Sequence, residues 1–185
     1  MEFRTELSVK APRQRLHLKD PIVTIGSCFA DDIGQRFLDH KFNVCKNTQG
    51  TVYNPISIHK ILMAALSKER PYANGYVLRD TVYFHYDFHS QWHDTSKESL
   101  ESILNNEINK LHEAIKYCRY LFITYGTSWV YELQEHKEVV ANCHKIPQSS
   151  FKKYLLTQKR ILESFGKFYA ELSRVNPNCR VILTV

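Results

Sequence analysis

Apolar and polar positions along this chain fall into blocks that switch between short continuous apolar runs and helical spacing. Residues 22–25, 42–45, 120–125 and 181–185 form short apolar runs that predict strands buried on both faces. After the first of them, Phe29, Ile33, Phe37 and Phe42 recur near helical spacing, and Asp31 and Asp32 lie in the first turn, where the macrodipole favours acids. Asn54-Pro55 reads as a cap followed by the first helical residue and opens a helix to about Ser67. The runs at 76–78 and 82–86 flank Arg79-Asp80 and predict an exposed hairpin. Leu100, Ile103, Leu104, Ile108, Leu111 and Ile115 mark one face of a long helix over 95–117. A second hairpin is predicted at 129–133 and 139–142, then helical patterning over 151–175 after Pro147 and Ser149. Strand and helix in alternation imply one doubly wound α/β domain, with a mostly parallel sheet and helices on both faces.

Composition narrows the classes of function. The 185 residues are 43% hydrophobic and 24% charged, which suits a single globular domain over 1–185. The net charge of +6 is dispersed, with Lys152-Lys153 and Lys159-Arg160 set among Glu135, Glu138 and Glu163, so a solvated surface is expected rather than a nucleic-acid partner. No run is long and apolar enough to predict a membrane span, and Met1-Glu2-Phe3-Arg4 carries charge where a signal peptide would be apolar. A cytoplasmic protein is the expectation. The five cysteines are scattered without CxxC spacing, which predicts reduced thiols and no zinc ribbon. His85, His89 and His93 recur every fourth residue, yet their aromatic neighbours predict extended chain, where four residues span roughly 13 Å and cannot share one ion. No metal and no cofactor are expected.

The densest chemical signal is Ile22-Val23-Thr24-Ile25-Gly26-Ser27-Cys28-Phe29-Ala30, a buried strand that breaks at a Gly-Ser turn and enters a helix. Ser27 is thereby placed at the C-terminal end of a strand, the edge where open α/β sheets bind ligands. It also stands at a helix N-terminus, whose free N–H groups can hold an oxyanion. The alternative for Ser27 is a plain helix cap. Cys28, one residue further on, is expected to point into the core and to be inert.

Gly26-Ser27-Cys28-Phe29-Ala30 resembles the signature of the GSCFA family, itself similar to the SGNH or GDSL-like serine esterases and acylhydrolases. Three more segments fit that resemblance: Gly50-Thr51-Val52-Tyr53-Asn54-Pro55, Gly126-Thr127-Ser128-Trp129-Val130-Tyr131-Glu132 and Val140-Ala141-Asn142-Cys143-His144-Lys145. A fourth, Tyr86-Asp87-Phe88-His89-Ser90, fits more loosely. The resemblance implies an SGNH-hydrolase or flavodoxin-like fold with hairpin insertions. It also implies a serine-dependent hydrolase of a small-molecule or glycan-linked acyl ester. Ser27 would be the nucleophile and first oxyanion donor, and Gly50 the second donor. The third block lacks the Asn of the SGNH pattern, so the hydroxyl of Thr127 or Ser128 would replace it, or Asn142 would reach across. Gly126, Ser128, Asn54, Asn142 and His144 would line the substrate pocket. The resembled pattern puts its base in an Asp-x-x-His motif beyond a further strand and helix, and none follows Val185. The chain is therefore expected to be C-terminally truncated and inactive as it stands, with His144 the best internal imidazole. The competing reading is a noncatalytic ligand-binding or interaction domain with the same fold.

Overall fold

The computed structural model describes residues 15–68 and 75–184. The charged N-terminal segment and Val185, at the end of the last expected strand, lie outside them. Four strands, β1 (Ile22–Gly26), β2 (Val44–Lys46), β5 (Tyr120–Thr124) and β9 (Arg180–Thr184), form a parallel sheet in the order β2-β1-β5-β9. Every β1 residue is buried, as its unbroken apolar run requires. Helix α1 (Cys28–Asp39) covers one face, where Phe37 packs on Phe42 and on Phe122 of β5. Helices α2 (Pro55–Ser67), α3 (Lys97–Tyr117) and α4 (Gln158–Val175) cover the other. There Val23, Ile25, Leu121 and Ile123 join Ile58, Leu62, Leu111, Ile115, Phe168 and Leu172 in the main core. The domain is α/β and doubly wound, as the alternating pattern predicts.

Two antiparallel additions stand beside this sheet. The hairpin β3 (Tyr76–Arg79) and β4 (Val82–His85) turns at Asp80, whose φ is +57°. A three-stranded sheet joins β7 (Val139–Val140), β6 (Trp129–Leu133) and β8 (Phe151–Leu155) in that order. The last strand corrects the sequence expectation, which ran a helix from 151 to 175. Residues Phe151 to Leu155 instead pair along the whole of β6, with Phe151 buried opposite Leu133 and Lys152 and Lys153 exposed. Strand pairing with a partner far away in sequence overrides a helical reading of so short a stretch. The helix starts only after Thr157, whose hydroxyl caps it by accepting from the Arg160 N–H.

The chain leaves β1 through α1 on one face and reaches β5 through α2 and α3 on the other. The switch in direction therefore falls between β1 and β5. Their carboxyl ends flank the crevice where sheets of this kind accept ligands, and Ser27 and Gly126 sit directly beyond them.

Candidate active site at the β1–α1 turn

Gly26 ends β1 with φ +131°, a conformation that side chains rarely adopt, and a Cβ there would collide with the Thr124 carbonyl. That close approach lets the Ser27 N–H donate to Thr124 O at 3.0 Å. Asn47 fixes the same turn from the other side. Its Oδ1 accepts from Gly26 N–H at 3.1 Å and its Nδ2 donates to Gly26 O at 3.4 Å. The Val52 N–H donates to the same carbonyl at 2.9 Å. The end of β5 and the loop after β2 thus clamp the peptide before Ser27. Sequence reasoning passed over Asn47; the available signal was a small amide directly after a short strand, where Asn tolerates a left-handed backbone such as its φ of +38°.

Ser27 holds the N-cap position of α1, but its side chain makes no capping hydrogen bond. The plain-cap alternative for its hydroxyl therefore fails. The residue is only 5% exposed and lies beneath Gly126: a Cβ built on Gly126 would stand 3.2 Å from the Ser27 Cβ and 2.6 Å from Cδ1 of the Tyr53 ring. The Tyr53 carbonyl accepts from the N–H groups of Gly126 and Thr127 at 2.8 and 3.3 Å, which ties the second block to the third. Cys28 is exposed rather than buried, contrary to expectation, because it and Phe29 lie on the outer face of α1 while Ala30 faces the core.

The remaining expected site residues divide into near and remote. Gly50 lies on the loop after β2, at the same end of the sheet as Ser27. Its φ is +74° and its N–H donates to Asn47 O at 2.7 Å, closing a turn. A Cβ there would meet Cβ of His89 at 2.5 Å, so the loop and the His89 segment touch. Thr127 Oγ1 accepts from the Trp129 N–H at 3.1 Å, and Ser128 O accepts from Leu156 N–H at 2.9 Å. Asn54 caps α2 through Ser57 N–H and donates to Val140 O at 3.1 Å, tying the three-stranded sheet to the main domain. Asn142 Nδ2 donates to Ser90 Oγ at 3.4 Å, and its Oδ1 accepts from His144 N–H at 2.9 Å.

Three histidines are buried, His59, His85 and His144, and burial pushes His59 and His144 down to about 4. His144 bonds through Nε2 to His85 O at 2.8 Å and stacks on Phe84. His59 bridges Ser164 Oγ at 2.9 Å and the Tyr125 hydroxyl at 2.6 Å, across α2, α4 and the end of β5. Neither imidazole makes a hydrogen bond to Ser27. Among the described residues no cluster of three or more His, Cys, Asp or Glu could hold a metal ion, and no helix is long and apolar enough to cross a membrane.

Of the comparisons with known proteins, neither the curated proteins nor the solved structures give a match. The pattern of the GSCFA family matches residues 21–185, which include the β1–α1 turn and all four parallel strands. With its Gly26-Ser27-Cys28-Phe29-Ala30 turn set at the switch point of a parallel sheet, the chain belongs to the GSCFA family.

Proposed function

We propose that this is a serine-dependent hydrolase domain of SGNH-like type, acting on an acyl ester of a small molecule or glycan, with Ser27 as its nucleophile. The observation that carries the reading is the Ser27 hydroxyl itself, which caps nothing although it occupies the cap position. A hydroxyl kept from the bond its position offers, at the carboxyl ends of β1 and β5, supports a role in attack rather than in helix stability.

Oxyanion donors must be groups without a stronger partner. The N–H of Ser27 is engaged by Thr124 O and that of Gly50 by Asn47 O. The donors then shift to the first-turn amides of α1, at Cys28 and Phe29, which lack intrahelical acceptors by helix geometry and sit at the positive end of the dipole. The Thr127 side chain would complete the hole after small rearrangement. His144 serves the pocket rather than the proton transfer; in the resembled pattern the base is the histidine of an Asp-x-x-His motif.

A binding-only reading draws on the same two engaged amides, because a site that never builds an oxyanion can leave them in backbone bonds. The two readings separate on covalent chemistry. The protein is incubated with a fluorophosphonate probe and digested for peptide mapping. Label on the peptide carrying Ser27, lost in Ser27→Ala, supports the hydrolase; an unlabelled Ser27 in folded protein favours the binding domain.

A further inference from the structure

A second cleft, separate from the β1–α1 turn, opens between the β3–β4 hairpin and the loop at 142–145, with a volume of about 470 Å³. Arg79, His93 and Lys145 line it, and among the described residues no acidic one does. Asp80 touches the Arg79 guanidinium from outside, at 3.6 Å from Nε. Ser90 and Asn142 supply neutral polar groups, and the Phe84 ring forms an apolar floor under the Arg79 guanidinium, 5.0 Å away.

His144 also lines this cleft, and its tautomer is fixed by its partner. The His85 carbonyl can only accept, so Nε2 carries the proton and Nδ1 presents a lone pair. That Nδ1 is buried, in a residue 2% exposed, and has no hydrogen-bond partner. A buried acceptor without a donor costs free energy, and such groups are rare in folded proteins. Backbone strain marks the same place: His144 and Lys145 are consecutive non-glycine residues with φ of +48° and +60°. Three bonds hold His144 there. Asn142 Oδ1 accepts its N–H at 2.9 Å, its carbonyl accepts from Arg79 Nη1 at 2.8 Å, and its ring donates to His85 O. Strain held in place by three bonds around an unused acceptor is what a built recognition site shows, not what loop packing alone requires.

We propose that this cleft binds a hydroxylated anion of the sugar-acid or sugar-phosphate kind, its charge facing Arg79, Lys145 and His93 and one hydroxyl donating to Nδ1 of His144. Both halves of the ligand are needed. A bare anion satisfies the cations but brings no donor to the lone pair, and a neutral sugar does the reverse. The carboxylate of a uronic acid and the phosphate of a sugar phosphate share this chemistry. The inference does not depend on hydrolysis at Ser27, and its test is made in the Ser27→Ala protein so that the two can fail separately.

The test is a titration of ¹⁵N-labelled Ser27→Ala protein, following amide shifts, with glucuronate, glycerol phosphate, glucose and inorganic sulfate. Saturable shifts are expected at residues 79–93 and 142–145 with glucuronate or glycerol phosphate. Which of the two binds more tightly identifies the anion. Glucose and inorganic sulfate should bind at least about tenfold more weakly. Lys145→Gln, an exposed change outside the packed core, should weaken the charged ligand several-fold and leave the fold intact. Equal binding of glucose and glucuronate, no saturable shift with either hydroxylated anion, or unchanged affinity in Lys145→Gln would each overturn the proposal.

Discussion

Gly126 lies directly over Ser27, so close that the smallest side chain at 126 would stand 3.2 Å from the serine Cβ. The third block of the family pattern thus shapes the ceiling of the site with a missing side chain. Alanine at 126 would also press on the Tyr53 ring, whose nearest carbon lies 2.6 Å from the new methyl position. That ring is 44% exposed and can swing outward, so the fold should survive. Gly126→Ala is expected to lower probe labelling of Ser27 by at least about tenfold, with a stability loss of about 1 kcal/mol. Labelling at the wild-type rate would show that Gly126 does not bound the reactive space.

Asn47 holds the Gly26 peptide with both ends of its side-chain amide. Asn47→Ala leaves the buried Gly26 N–H without its acceptor, a loss of about 1–3 kcal/mol. Asn47→Asp keeps that acceptor but turns a second carboxylate oxygen toward Gly26 O in a buried place, so it should recover only part of the loss. Urea denaturation of the three proteins tests the order. Equal midpoints for alanine and aspartate would mean that the acceptor at 47 does not carry the effect.

How much of this was legible beforehand follows from how local each signal is. The strand of Ile22–Gly26, the cap at Asn54 and the stripe from Leu100 to Ile115 are written in neighbouring residues, and the structure has each of them. Strand β8 is not written that way. Phe151 to Leu155 becomes extended because β6 offers a full register of partners, a fact of tertiary pairing. The exposed Cys28 was misread because one position of a helix start was given the direction of the helix's buried face. At the site, Ser27 was identifiable from its turn. The clamp by Asn47 and the bond of Ser27 N–H to Thr124 O join segments far apart in the chain, and no spacing encodes them.

Two of the buried histidines, His59 and His144, should make the fold sensitive to mild acid. Burial lowers His59 and His144 from the usual 6.5 to about 4, so in the folded state both stay neutral through a range where the unfolded chain takes up protons. Stability is therefore full above about pH 6.5 and falls as the pH drops toward 4, levelling off below that. Each histidine contributes on the order of 3 kcal/mol to the fall. Urea midpoints measured across this window should decline steeply, and His59→Gln should remove a large part of the slope. A midpoint independent of pH between 6.5 and 4 would contradict the burial of both rings.

Cys118 and Cys179 face each other with their sulfurs 3.3 Å apart, joining the end of α3 to the residue before β9. The contact with Cys118 lowers the Cys179 thiol, while the same contact and burial raise Cys118, so Cys179 is the more readily ionised thiol of the pair. Hydrogen peroxide should therefore attack first at Cys179: the thiolate displaces hydroxide and becomes a sulfenic acid. Cys118 then attacks that sulfur and releases water, so two thiols and one peroxide give one disulfide and two waters. The bond would close a span of 61 residues, for which about 2–4 kcal/mol of stabilisation is typical. After peroxide treatment, thiols titrated in denaturant should fall from the five of the sequence by the two of this pair, and the intact mass by two hydrogens. Cys179→Ser should abolish both changes and the accompanying rise in urea midpoint. Oxidation that instead adds oxygen at Cys28, the exposed thiol, and leaves 118 and 179 free would show that the 3.3 Å contact does not reach bonding geometry.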